Sequence, residues 1–340
     1  MSETTYSYKQ LLEKATSRCD LSATEMATAV CGILEGEWTP VQTAGFLVAM
    51  KIKGETPEEL AAAADVMRTM MIPVSLADDN AVDTCGTGGD GAGLFNVSTA
   101  AAFVAAAAGV CVAKHGNRAL SSTSGSSDLL SELGASLDTE PDKIAELIQR
   151  LGIGFMFAPN HHPAMRHAAP VRRELGVRTM FNLLGPLCNP AGVRRQVTGV
   201  FNLQLLVSYA ETLAACGAQR AMVVHGEGLD EITIAGETAI AEWRDGAIVR
   251  YTIAPTDVGL SVASLDSLRV SSAAESAALI NAVFAGNTGA ARDIVLLNAA
   301  AALMVADKAV DFADGVQQAA VAVDSGAAAQ KLSDFVAASS

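Results

Sequence analysis

The chain has 340 residues and a mass of 34.9 kDa. Half its residues are hydrophobic but only 5% are aromatic, so the core must be aliphatic and rich in alanine. A chain this long buries roughly three quarters of its unfolded surface and needs neither disulfide nor metal to fold. With 23 basic and 37 acidic residues the formal charge is −14. That is the wrong sign for gripping nucleic-acid phosphates, although a few converging cations can still hold a small anion.

The first seventy-odd residues read as four helices. Tyr6–Arg18 opens the series, and Ser22 with Glu25 forms a capping box for a helix running to Leu34. Thr39-Pro40 and Thr56-Pro57 each set a cap and a first-turn proline for the next two, the last ending before Pro73. From Ala81 the pattern changes. Short apolar runs at Ala81–Cys85, Val110–Ala113, Phe155–Ala158, Val197–Val200 and Ala221–His225 alternate with helical stretches, which predicts parallel strands of an α/β domain. Thr238–Ile253 reads instead as a β-hairpin turning at Asp245-Gly246. After Ser272 the chain is helical to its end, and Asp293–Asp307 is its most apolar segment.

The longest apolar run, Ala100–Ala113, is too short to span a bilayer and fits a buried helix followed by a strand. The first ten residues lack the basic and apolar regions of a signal peptide. Cys19, Cys31, Cys85, Cys111, Cys188 and Cys216 show neither Cys-x-x-Cys nor zinc spacing and read as reduced thiols. The expectation is a cytoplasmic protein with no membrane contact.

Five loops carry chemistry. Cys85-Gly-Thr-Gly-Gly-Asp-Gly91 follows a predicted strand; alone, it suits an anion cradle or an ordinary tight turn. Asn96-Val97-Ser98-Thr99 opens a helix, where such residues either cap or hold a phosphate. Lys114-His115-Gly116-Asn117-Arg118 follows a predicted buried strand, the usual place for a ligand loop, and its two cations suit phosphate. Ser121, Ser122 and Ser126 belong to a serine-rich stretch, 121–127, which offers hydroxyls or a helix cap. Asp230-Glu231 can share a magnesium ion that keeps substrate oxygens in its shell, or lie solvated on the surface.

Taken together and in this order, Gly-Thr-Gly-Gly-Asp, Asn-Val-Ser-Thr, Lys-His-Gly-Asn-Arg, Ser-Gly-Ser and Asp-Glu resemble the anthranilate phosphoribosyltransferase family over nearly the whole chain. His162-Pro-Ala-Met, Arg172 and the stretch Asn182–Pro190 sharpen the match. The resemblance implies a small helical domain, 1–73, completed by a segment near 176–196, and a large α/β domain, 74–340, with a mostly parallel sheet and C-terminal helices. It implies transfer of a phosphoribosyl group from phosphoribosyl pyrophosphate to anthranilate, assisted by about two Mg2+ ions per subunit, with positioning and electrostatics in place of a catalytic acid or base. Ser98, Asp230 and Glu231 would hold the metal. Gly86, Gly89, Asp90 and Lys114 would meet the diphosphate. Asn96, Val97, Ser98, Thr99, Gly116, Arg118, Ser121, Ser122 and Ser126 would surround the phosphoribosyl end. Asn117 and Arg172 would contact anthranilate, with His115 and His162 along its access path. A homodimer through the helical domain is implied, and no nucleic acid. Leu94 departs from the pattern, which has threonine there. The competing readings are a pyrimidine nucleoside phosphorylase, which gives Asp230-Glu231 no task, and a non-catalytic nucleic-acid-binding paralogue, which the net charge opposes.

Overall fold

The computed structural model describes residues 6–77, 80–118 and 124–339. Four helices come first: α1 (Tyr8–Thr16), α2 (Ala23–Leu34), α3 (Pro40–Lys53) and α4 (Pro57–Thr69). Each starts on a reciprocal capping box, Ser7/Gln10, Ser22/Glu25, Thr39/Gln42 and Thr56/Glu59, so local sequence alone fixes four starts. Glu59 does more than cap. Fully buried, it also accepts the Leu21 N–H at 2.7 Å and the Lys53 ammonium at 2.9 Å, tying α4 to the approach to α2 and the end of α3.

Next come β1 (Val82–Gly86), α5 (Val97–Ala107), β2 (Val112–Gly116), α6 (Ser126–Glu132), α7 (Pro141–Leu151) and β3 (Ile153–Phe157). Three short helices, α8 (Ala158–His161), α9 (Ala169–Leu175) and α10 (Met180–Leu184), lead to β4 (Arg195–Gly199), α11 (Leu206–Ala215) and β5 (Arg220–Gly226). The hairpin is β6 (Thr238–Arg244) and β7 (Ala247–Ile253), and α12 (Ala273–Phe284), α13 (Ala290–Val305), α14 (Phe312–Asp324) and α15 (Ala327–Ser339) finish the chain.

The strands form one seven-stranded sheet in the order β3-β2-β1-β4-β5-β6-β7. β1 to β5 pair in parallel, and the hairpin adds two antiparallel strands at the edge. Asp245 (φ 52°) and Gly246 (φ 78°) make its turn, both in the left-handed region that a type I′ turn requires. The chain leaves β1 for β2 on one side and later returns as β4 on the other. β1 and β4 therefore frame a topological switch point, and their carboxyl ends open the crevice where α/β sheets bind ligands.

Two large cores fill the molecule. One packs α5 and α13 against the sheet; Ala100–Ala106 and Ile294–Val305 are buried without interruption, and their alanines let helices approach closely. The other joins Met26, Phe46, Leu47 and Met50 of the helical unit to Met180 and Leu184 of α10 and Tyr209 of α11.

Strand β2 starts two residues later than its apolar run predicts. Gly109 (φ 95°) ends α5, with Gly109 N–H donating to Ala106 O at 3.2 Å and Val110 N–H to Ala105 O at 3.0 Å. This Schellman closure uses up 109 and 110. Lys114, His115 and Gly116 are consequently strand residues, and the loop begins only at Asn117.

Candidate active site

At the switch point β1 and β4 end on paired glycines, Gly86 opposite Gly199. A Cβ on Gly199 would overlap the backbone of Asp230, and one on Gly86 would overlap its carboxylate. Two bare strand ends thus let the 229–233 segment cross directly over them. Gly88 N–H donates to Asp230 Oδ2 at 2.7 Å, fastening the glycine loop to the acidic segment. From beneath, buried Asn298 of α13 accepts the Ile232 N–H at 3.0 Å and donates to the Ile232 carbonyl at 2.9 Å. Gly199 and Asn298 are absent from the sequence-level site; neither belongs to a recognisable loop, and only the sheet brings them there.

Asp230 and Glu231 are carboxyls with raised proton affinity. Burial is the main cause for both; Asp90 of the glycine loop adds to it at Asp230, and Asp230 does so at Glu231. Glu231 Oε1 also accepts the Ser98 N–H at 3.1 Å, at the positive end of α5. Converging carboxylates that resist ionisation on their own are a donor set suited to a hard dication. Among the described residues no group of three or more His, Cys, Asp or Glu forms a ready-made metal cage. Magnesium takes few protein ligands and leaves its other positions to water and phosphate oxygens.

Asn96 occupies the cap position of α5, yet its side chain makes no cap bond. It donates to Ser124 O at 3.1 Å and accepts from Ser276 Oγ at 2.8 Å and Ser124 Oγ at 3.1 Å, pinning the serine-rich segment against α5 and α12. Thr99 Oγ1 is buried without a partner among the described residues. Val97 turns its side chain into the core, and its N–H already bonds Phe95 O at 2.7 Å. Leu94 is half-buried against the main core and bridges Arg269, so a hydrophobic contact stands where a threonine hydroxyl was expected. Ser121 and Ser122 lie outside the described residues. Ser126 Oγ packs under Gly116, where no Cβ fits, and donates to Asn117 O at 3.4 Å.

Lys114, expected as a phosphate cation, is 97% buried: its relative exposure is 3%. The ammonium donates to Thr84 O and acts on Asp83 and Glu231, where it favours their ionised forms. It serves the floor of the site. Asp83 is itself buried and accepts from His115 N–H at 3.2 Å and Asn189 Nδ2 at 2.8 Å. Asn117 and Arg118 are exposed at the rim, Arg118 lying 4.0 Å from Asp128.

His115 and His162 face each other with ring centroids 5.2 Å apart. Burial, above all, lowers both, His162 to about 4, so both rings are neutral at pH 7. Each bonds a carbonyl of the 185–188 turn and leaves Nε2 buried without a partner among the described residues. Arg172 stands over the Phe181 ring at 5.5 Å, with no carboxylate within ion-pair distance among the described residues. Burial alone lowers its pKa from the usual guanidinium value. A planar guanidinium is a group able to pair with a carboxylate in two parallel hydrogen bonds.

Residues 9–71 match the helical bundle domain of the glycosyl transferase family and 78–329 its a/b domain. The chain is 53% identical, over 96% of its length and 97% of the relative's, to the anthranilate phosphoribosyltransferase of Thioalkalivibrio sulfidiphilus. It belongs to the anthranilate phosphoribosyltransferase family. The crystal structure of the Thermus thermophilus family member superposes with a TM-score of 0.92 at 45% identity, covering 97% of this chain and 99% of that one. The Saccharomyces cerevisiae member, in complex with phosphoribosyl pyrophosphate and magnesium, gives 0.89 at 27% identity, covering 98% and 97%. The yeast protein has also been solved in complex with 4-fluoroanthranilate.

Proposed function

We propose that the protein transfers the phosphoribosyl group of phosphoribosyl pyrophosphate to the amine of anthranilate, releasing pyrophosphate and forming N-(5-phosphoribosyl)-anthranilate for tryptophan biosynthesis. One juxtaposition carries the reading. A carboxylate pair suited to magnesium sits under a glycine loop, which is fastened to it by Gly88 N–H on Asp230, in a chain that also carries a half-buried guanidinium, Arg172, with no ion pair among the described residues. Breaking the bond from C1 to the diphosphate oxygen leaves positive charge on the ribose and negative charge on the diphosphate, while the aromatic amine, neutral at pH 7, adds to C1 and gives up its proton. Bound magnesium, about two ions per subunit, would neutralise the departing diphosphate, held by Asp230, Glu231 and Ser98. Gly86, Gly89 and Asp90 present backbone to that leaving group, and Asn96, Ser98 and Thr99 with the serine segment hold the phosphoribosyl end. Arg172 and Asn117 orient anthranilate, and the histidine pair lines its approach with no proton to donate toward the amine. Positioning replaces acid–base catalysis.

The helical unit 1–73, completed near 176–196, and the α/β unit 74–340 would form the two walls of this site. Val41, Gly45, Val48 and Ile52 recur at i, i+4, i+7 and i+11 along α3, with Val41 81% and Ile52 63% exposed. Such a stripe supports a homodimer through the helical unit. Among the described residues no helix is long and apolar enough to cross a membrane, and a biosynthetic role places the enzyme in the cytoplasm. The deciding assay is formation of N-(5-phosphoribosyl)-anthranilate from the two substrates with magnesium titrated. Turnover should appear only with metal; turnover without anthranilate, or none at saturating magnesium, refutes the assignment.

A further inference from the structure

The departing diphosphate needs positive charge from the protein, and Lys114 is committed to the floor beneath the strands. Two other cations abut the glycine loop. Arg269 is occupied, donating to Ala92 O and lying 3.8 Å from Asp266. Arg178, which lies in the Gly176-Val-Arg-Thr stretch of the family resemblance but has no assigned role there, makes no ion pair and donates no side-chain hydrogen bond among the described residues. A Cβ on Gly89 would meet its Nε at 2.5 Å, so the guanidinium lies flat against the bare backbone of the loop.

Arg178 is held there from three directions. Its guanidinium stacks on the Phe201 ring with Cζ 4.2 Å from the centroid. Phe201 N–H in turn donates to Thr87 Oγ1 at 3.3 Å, so ring and glycine loop form one unit. From the helical unit, Lys51 Nζ donates to Arg178 O at 2.9 Å. The glycine loop is thereby fastened to Asp230 through Gly88 N–H, and its next residue, Gly89, abuts a pre-oriented planar cation. Gly89 has φ +80° and no side chain to intervene.

We infer that Arg178 is a diphosphate-binding residue, closing the glycine loop over the leaving group opposite the carboxylate pair. The inference rests on the transferase reading for the identity of the leaving group. Its chemistry is that of guanidinium on phosphate oxygens, which a planar fork serves better than an ammonium.

Calorimetry with magnesium pyrophosphate tests it on the full-length protein. Arg178→Met, which keeps the stem and removes the charge, should weaken magnesium pyrophosphate at least tenfold and raise the phosphoribosyl pyrophosphate KM similarly. Anthranilate KM should stay within twofold and the melting temperature should be unchanged. Arg178→Lys should fall between. Gly89→Ala should produce a comparable loss, and the double variant should be no worse than the worse single one, because both remove one contact. Unchanged pyrophosphate affinity in Arg178→Met overturns the inference, as does a fall in melting temperature with equal loss of both substrates. Wild-type protein that binds magnesium pyrophosphate through Arg178 yet forms no product would refute the transferase reading and leave Arg178 standing.

Discussion

The proposed anthranilate contact at Arg172 gives the sharpest test of substrate identity, because this half-buried guanidinium forms no ion pair among the described residues. A structural arginine usually pairs with a carboxylate; among the described residues this one meets the Phe181 ring and no ion-pair partner. Truncating one member of a buried charged contact costs about 2–5 kcal/mol, roughly thirtyfold or more in affinity. Arg172→Ala should therefore raise the anthranilate KM by that factor and leave phosphoribosyl pyrophosphate binding nearly unchanged. Exposed Arg173 is the internal control. Calorimetry of each ligand on the two single variants checks this, and selective loss of anthranilate in Arg173→Ala would overturn the assignment. Lys114 differs in its setting: the helix closure at Gly109 makes this residue of the expected loop part of β2, and its buried ammonium donates to Thr84 O.

Elements were legible where local chemistry decides them. The capping boxes at Ser22 and Thr56 and the Asp245-Gly246 turn act within four residues, and each element starts or turns there. Gly199 and Asn298 were not legible, because their roles exist only once β4 and α13 pass beneath residues 230–232. The role of Arg178 escaped for the same reason, although its stretch belongs to the family pattern: its partners Gly89 and Phe201 lie on other segments. Asn298 allows a test at this scale. It spends three side-chain bonds on Ile232 and Ile294, and Asn298→Ala would orphan the buried N–H and C=O of Ile232 at about 1–3 kcal/mol per group. The melting temperature should fall and the magnesium concentration for half-maximal rate should rise several-fold, since Glu231 adjoins the freed backbone. A variant that melts early but keeps its magnesium dependence would make Asn298 a core residue only.

At the scale of the molecule, the α3 stripe makes its own prediction. Val41→Asp with Ile52→Asp should reduce the sedimenting mass from twice 34.9 kDa to 34.9 kDa, with little change in the melting of the monomer. An unchanged mass would move the interface elsewhere.

With the proposed magnesium site on the carboxylate pair, metal, proton and fold are linked there, and that linkage gives the whole molecule a pH signature. Asp230 and Glu231 have folded pKa values raised far above the ordinary carboxylate range, into the neutral region. Each therefore binds its proton more tightly folded than unfolded, and the resulting stability is fully present below the unfolded values near 4. It is lost as pH rises through the folded values and the two carboxylates ionise against each other. In a chelating buffer the melting temperature should accordingly fall between about pH 4 and 8, the window bounded by the unfolded and folded values. Saturating magnesium reverses the sign of the effect. A dication binds the ionised pair and competes with the protons, so its affinity should increase with pH across the same window and its stabilisation should offset the loss. Asp230→Asn with Glu231→Gln removes both titrating groups. That variant should show a flat melting profile across the window, no response to magnesium, and no turnover. Scanning calorimetry at several pH values with and without magnesium measures all of this. A wild-type profile that rises with pH in chelator, or a double variant that magnesium still stabilises, would place the metal and the proton on other groups.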